Sequence, residues 1–522
     1  MVNHNKMGLL GAISYIIGNI IGSGIFITPT SIIECTNSVG LSLSIWIVAA
    51  IISMVGALIY VELGTSIRKS GADFAYICYV KWYPIAVAFM FVGCILIYPA
   101  TTAIQSETFA EYIIKGLKIQ FAEPYQNYLA KKLIAFSLIW LLMFLNFFSV
   151  KTFVQRFQIL ASIAKLVATA IVIGTGFYFL IFKAETGNLQ NMFHNSTWKP
   201  GKLVTALFAG LYSYDGWDIL NFGAEEIDNP RRTMPLAIII GMTIVAIIYL
   251  AINLSYFVVL TVPQFEASDA VAVSLAQAKL GEFQYVMPFF ISILLIGSLN
   301  STMFAASRYL HAAARHGNLP SFISCTNKCH DSPRAALFVH IILAMGFSFA
   351  GNLEQLISYV AFAQWSQRAF TMLALLYIRF WHLPVHPNAM RTPIILPILF
   401  FINCVGLVGV TIGQNFSDAA VGIGIIIGGF LVFFIFMWDR ALPSREWYRR
   451  NASVANEKIA IVFQVLFNGM IDLGGDEEES EENVKSSSVI ANEKISTGVY
   501  DNIAMDRFSL ASAIDVDSKK KF

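Results

Sequence analysis

Charge is what this sequence has least of. Aspartate, glutamate, lysine and arginine make up 13% of its residues, about half the share in a soluble domain. No soluble core needs the 57% of hydrophobic residues present, and the mean hydropathy is +0.65. The chain is therefore expected to be a polytopic membrane protein. A net charge of only +2 implies no nucleic-acid partner. The six cysteines, at 35, 78, 94, 325, 329 and 404, are scattered and form no disulfide scaffold. Cys325, Cys329 and His330 put three metal ligands in one short loop with no fourth, so no metal site is expected. No H-E-x-x-H, Walker A or G-x-S-x-G motif occurs. Nothing thus argues for an enzyme, an ATP-driven pump or a cofactor. Six residues precede the first hydrophobic run, too few for a cleaved signal peptide.

Long apolar runs are what the sequence has instead. Runs of about 18 or more apolar residues read as membrane-spanning helices. Twelve fall near 7–30, 41–64, 84–112, 132–149, 158–182, 203–224, 236–262, 286–310, 335–351, 354–380, 394–413 and 419–438. An even number puts both termini on one side. With the N-terminus inside, inner connections hold fourteen lysines and arginines and outer ones eight, so both termini are expected in the cytoplasm. The chain divides into a short N-terminus (1–6), a twelve-span domain (7–438) and a cytoplasmic tail (439–522). In the tail, "NEKIAIVFQVLFNGM" (456–470) is apolar enough for a helix on the membrane surface or against the spans. The acidic and polar remainder reads as largely disordered.

Two runs are interrupted. In the first, "IIGNIIGSGIFITPT" (16–30) puts Gly22, Ser23 and Gly24 at mid-depth, and glycine leaves helical geometry readily. In the sixth, "GLYSYDGWDILN" (210–221) holds Gly210, Ser213, Asp215, Gly216 and Asp218. Unpaired backbone groups in hydrocarbon are costly, so such breaks survive only where they line a cavity or lie buried in protein. Runs one and six are five apart, as in two inverted repeats that each open with a broken helix. Free N–H groups at a half-helix N-terminus attract a carboxylate, and free carbonyls accept from an ammonium. A site offering both fits an amino acid. The pairs Gly409/Gly413 and Gly424/Gly428 have the spacing of close helix packing and are read that way. Lys165, alone in "ILASIAKLVATAIVIG" (159–174), is a functional candidate, because a charge at a helix centre costs about 2.5–3.5 kcal/mol.

Four segments carry a resemblance: "GNIIGSGIFITPT", "GALIYVELGTSIRKSGADFAY" (56–76), "YDGWDILNFGAEEIDNPRRTMPLAI" (214–238) and "SRYLHAAARHGNLP" (307–320). Together they resemble the light-chain L-type amino acid transporters of the amino acid–polyamine–organocation superfamily, from about residue 6 to residue 440. The resemblance implies an all-α membrane fold of twelve helices. It is built on a five-plus-five inverted repeat, with helices 1 and 6 broken and the last two peripheral. It also implies a substrate site. Ile20, Gly22, Ser23 and Gly24 belong to it at the first break, and Tyr212, Ser213 and Asp215 at the second. Ile97, Thr101, Gln105 and Gln364 match positions lining the side-chain pocket, and Tyr212 matches an aromatic gate. Lys165 matches a lysine that stands where sodium-coupled relatives hold a cation, which implies transport without sodium. Many members that carry large neutral amino acids have glycine at the position of Asp215, and some members that also accept cationic ones have aspartate. An unpaired carboxylate there would pair with a substrate ammonium or guanidinium. Asp218 is either a second partner or a bond to loose backbone. Glu62, near Arg68 and Lys69, reads as a gate or a structural ion pair, and Arg231, Arg232, Glu225 and Glu226 read as gating residues. Arg368 is outside the family pattern. It either acts on substrate charge or pairs with an acid such as Glu107.

Most animal members are disulfide-linked to a single-span glycoprotein through a cysteine in the loop between spans three and four. Here that loop, "KGLKIQFAEPYQNYLAKK" (115–132), has none. Cys35, expected to be exposed near the outer end of the first span, lies elsewhere. The chain is expected to work without a disulfide-linked heavy chain. The leading reading is a sodium-independent exchanger, in the plasma membrane, of neutral and through Asp215 cationic amino acids. Its rivals are a proton-coupled symporter and a transport-dead sensor or scaffold; the intact breaks argue against the last.

Overall fold

The structure, a computed structural model, describes residues 7–67, 71–148, 151–222, 227, 229–268, 270–327, 332–387, 389–438 and 440–472. The first part of the chain forms α1 (Leu9–Ile20), α2 (Gly24–Ile27), α3 (Pro29–Thr36), α4 (Val39–Ser66), α5 (Ala72–Tyr79), α6 (Tyr83–Val92), α7 (Tyr98–Gly116), α8 (Pro124–Phe147) and α9 (Lys151–Phe182). The middle forms α10 (Pro200–Ser213), α11 (Ile219–Phe222), α12 (Pro230–Val259), α13 (Val262–Glu266), α14 (Val271–Lys279) and α15 (Val286–Arg315). The rest forms α16 (Arg334–Phe347), α17 (Leu353–Phe380), α18 (Ile395–Gln414), α19 (Phe416–Val432) and α20 (Glu446–Phe467).

Local chemistry sets many of these boundaries. Proline opens α8, α10 and α12, where its missing N–H costs nothing. Asn352 and Gln355 form a reciprocal capping box at the start of α17. A π-helical turn, Gly93–Ile97, joins α6 to α7 just before Pro99, which has no N–H to give.

Nine helical stretches among the described residues, from Leu9–Ile27 to Phe416–Ser444, are long and apolar enough to cross a membrane. Apolar side chains also cover the outside: Ile163, Leu166, Ile181 and Ile402 are each more than half exposed, an arrangement suited to lipid rather than water. The chain is a multi-pass membrane protein. Three predicted runs fall short of the nine for local reasons. α10 stops at a break after fourteen residues, and α16 is also fourteen residues long. α17 is long enough, but Arg368 and the glutamines Gln355, Gln364 and Gln367 make it less apolar.

Several expectations change here. A Cβ added at Gly409, Gly413, Gly424 or Gly428 would meet nothing within 4 Å, so these pairs do not pack helices within the described residues. Gly422 and Gly429 do so instead, against Phe362 and the Ala88 backbone. Cys35 is buried, and its thiol faces Glu354 Oε1 at 3.5 Å. Lys132 is no outer-loop cation. It is buried, donating to Glu107 Oε1 at 2.5 Å and to Ser348.

The apolar tail segment becomes α20, and it docks on the bundle. Phe467 packs against Phe147 and Phe338. Arg334 donates to the carbonyls of Phe147 and Phe467 at 3.0 and 2.9 Å. A two-residue strand, Met470–Ile471, pairs antiparallel with Cys325–Thr326. The acidic stretch after Asp472, Cys329, His330, Arg68, Lys69, Glu225 and Glu226 lie outside the described residues.

Candidate functional site

Two interrupted helices meet at the centre. α1 ends at Ile20 and α2 begins at Gly24, so the first break covers residues 21–23. α10 ends at Ser213, and a turn over 214–218 leads to α11. Gly216 makes that turn at φ +96°, a left-handed conformation that favours glycine. Gly210, read from sequence as part of the break, sits inside α10, where an added Cβ would come within 3.1 Å of Ala49.

The breaks hold each other. Asn19 Nδ2 donates to the Gly216 carbonyl at 3.0 Å, and Thr28 Oγ1 lies 2.6 Å from Ser213 Oγ. Tyr249 Oη lies 2.8 Å from the Ile20 carbonyl and 3.0 Å from that of Ser213. One buried hydroxyl from α12 thus serves a carbonyl at each break, as burial of loosened backbone requires. Among the described residues, no backbone carbonyl accepts from the amides of Ser23 and Gly24.

A cavity of about 610 Å³ opens at the breaks. Ile20, Gly22, Ser23 and Gly24 line it from the first break, and Tyr212, Ser213 and Asp215 from the second. α7 and the turn before it contribute Ile97, Thr101 and Gln105, and α17 contributes Gln364. Lys165 reaches in from α9, and its ammonium donates to the carbonyls of Gly18 and Ile21 at 2.7 and 2.8 Å. Further lining by Ser14, Tyr15, Gln158 and Ser162 carries the cavity toward the end of the bundle where α1 begins. Glu62 is not in this lining. It is held by both nitrogens of an Arg379 fork, Nε at 2.6 Å, and by the amide and hydroxyl of Thr392. The structure thus gives Glu62 a partner on α17 that sequence proximity to Arg68 and Lys69 did not suggest.

The charges in the cavity are arranged otherwise than expected. Asp215 is not unpaired. Its Oδ1 accepts from Arg368 Nη2 at 2.6 Å and its Oδ2 from Gln364 Nε2 at 3.0 Å. Arg368 is therefore no partner of Glu107, which Lys132 already occupies. Asp218 also lines the cavity, as does Asp73, whose Oδ1 accepts from Tyr60 and Thr371 hydroxyls at 2.6 and 2.7 Å. Sequence reading passed over Asp73 and Tyr249. An aspartate after "KSGA" and one of two tyrosines in an apolar run were the signals. Ser298 was missed too; it lies 3.2 Å from Ser23 Oγ and 3.3 Å from Gln105 Nε2.

A cavity that carries polar and charged side chains inside an apolar helical bundle, lined by two interrupted helices whose breaks contact each other, is the architecture of a membrane transporter. Residues 7–437 match the amino acid permease family, and the chain belongs to that family. It is 60% identical over 473 residues to amino acid transporter protein 6 of Caenorhabditis elegans, covering 91% of this chain and 90% of that one. It is 36% identical to the human cystine/glutamate transporter, over 88% and 90% of the two chains. It is 32% identical to the human b(0,+)-type amino acid transporter 1, over 83% and 88%. The family and these relatives are transporters, not enzymes, and this chain is an amino acid transporter.

Proposed function

We propose that this chain exchanges amino acids across the plasma membrane by alternating access and without sodium. The observation that carries the reading is Lys165. Its ammonium bonds two carbonyls at the first break, where a bound cation would otherwise neutralise them. The substrate's carboxylate sits on the amides of Ser23 and Gly24, and its ammonium on carbonyls of the two breaks, with Ile20, Gly22 and Ser213 shaping that end. Ile97, Thr101, Gln105, Gln364 and Asp215 surround the side chain. Tyr212 and Glu62 gate the site. Neutral amino acids are the favoured substrates, because a cationic side chain has to compete with Arg368 for Asp215. Exchange is supported by a relative named for two amino acids, cystine and glutamate.

The same reading has twelve crossings, in two inverted repeats of five plus two peripheral helices, with both termini cytoplasmic. Its support is the five-span separation of the breaks and the bias of lysine and arginine. No disulfide-linked heavy chain is required, since the 115–132 loop has no cysteine and Cys35 is buried. One observation favours proton coupling as a second reading: Asp73 and Asp218 both border the cavity. Uptake of labelled leucine into proteoliposomes tests both. Equal uptake in sodium and choline buffers, accelerated by internal amino acid, is the expected result. Loss of uptake in choline would refute sodium independence, and acceleration by an inward proton gradient in empty vesicles would favour the symporter.

A further inference from the structure

Arg368 is a costly residue to keep. It lies in the middle of α17, is only 5% exposed, and borders the cavity. Its guanidinium sits 4.7 Å from the ring centre of Trp217 and 4.9 Å from that of Trp365. Two indoles therefore hold it in place, one from the turn between α10 and α11 and one from its own helix. Its Nη2 points at Asp215 Oδ1, 2.6 Å away. Gln364, one helical turn earlier, takes the other oxygen of the same carboxylate. Asp215 meets the cavity with about a third of its side chain exposed, whereas Arg368 is nearly enclosed. The guanidinium is thus a fixed cation placed where the side chain of a bound arginine or lysine would otherwise reach Asp215.

We propose that Arg368 is a tethered counter-ion that sets the charge selectivity of the substrate site. By occupying Asp215 it excludes cationic side chains and leaves a paired, polar wall that suits uncharged ones. Asp73 and Asp218 line the cavity as well, so three carboxyl groups face an incoming side chain, and an anionic one is disfavoured too. Without Arg368 the three carboxylates have no basic side chain within their group, and the preference turns toward cations. The proposal rests on the cavity being the substrate site, and it goes beyond that in naming the residue that decides which side chains enter.

The test is competition against labelled leucine uptake in proteoliposomes of the full chain, each variant normalised to its own leucine uptake. In the wild type, unlabelled serine or methionine should compete at least tenfold better than arginine. Arg368→Gln, which keeps length and a polar end but loses charge, should strengthen arginine competition at least tenfold. Arg368→Lys keeps the charge and should keep the wild-type order, a rescue that a purely steric brace would not give. Asp215→Asn frees the guanidinium instead and should strengthen glutamate competition. Arginine competing as well as serine in the wild type would overturn the proposal. So would an Arg368→Gln variant that carries leucine with an unchanged order. If Arg368→Gln carries nothing, Asp215→Asn decides: unchanged glutamate competition refutes the counter-ion role. Wild-type vesicles that take up leucine while Ser23 and Gly24 variants bind it normally would refute the site itself, a different failure.

Discussion

Replacing Lys165 by alanine should disable transport, and the size of the loss follows from geometry. The ammonium makes two charge-assisted bonds, 2.7 and 2.8 Å long, to the carbonyls of Gly18 and Ile21. Each such bond is worth about 1.5–3 kcal/mol net. Lys165 borders the cavity and is only half-buried, so water recovers part of this in the variant. A remaining loss of about 2–3 kcal/mol corresponds to a 30- to 150-fold drop if it falls on the transport cycle. Both carbonyls lie at the first break, which lines the cavity, so the loss should appear as weakened uptake rather than as misfolding. Surface biotinylation should find Lys165→Ala at near wild-type levels while sodium-free leucine uptake falls by that factor. Lys165→Arg, which keeps the charge but not the compact ammonium, should recover little. Full uptake by Lys165→Ala in choline buffer would remove the lysine from the mechanism, and uptake restored by sodium would turn it into a replaceable cation.

Three further outcomes are expected. Gly24→Val should abolish leucine uptake, because an added Cβ would lie 2.8 Å from Ser213 Cα, a backbone atom with no way to yield; normal affinity in that variant would put the break elsewhere. Phe467→Ala, which removes a ring packed against Phe147, Phe338 and Phe463, should cost about 3 kcal/mol, read as a lower unfolding temperature in detergent. No shift would mean that α20 is not docked. Non-reducing gels should show no high-mass band that collapses on reduction, and Cys35→Ser should leave the pattern unchanged.

Legibility depended on how local each signal was. Glycine, serine and aspartate inside apolar runs announce a break wherever they fall, so both breaks were readable to within a few residues. Lys165 was readable because nothing near it in sequence shares its charge. The pairing of Arg368 with Asp215 was not, since 153 residues separate them and only the meeting of α17 with the second break joins them. Tyr249 was hidden for the same reason: its hydroxyl serves carbonyls 36 and 229 residues away. Glycine spacing on α18 and α19 told that small residues share a face, not whether a helix lies against it. Cys35 was misjudged because position along a helix says nothing of what covers it, and α3 packs against α10.

The same limit applies to Glu62, and here the structure permits a sharper test of its role. The carboxylate is 2% exposed and receives four donors, two from Arg379 on α17 and two from Thr392. Eleven residues along α17 separate Arg379 from Arg368, about 16 Å of helix. One rigid helix therefore carries both a wall of the site and this clamp. Removing one partner of a buried pair typically costs about 3–5 kcal/mol, whereas removing both is often near neutral. Arg379→Met should thus lower the unfolding temperature, and Glu62→Gln combined with Arg379→Met should restore much of it. A structural brace predicts that transport recovers together with stability. A gate predicts that it does not: the double variant should be stable, yet the ratio of leucine influx to efflux should differ from that of the wild type. Transport that follows stability in both variants would make the pair a brace, and Glu62 would lose its place among the gating residues.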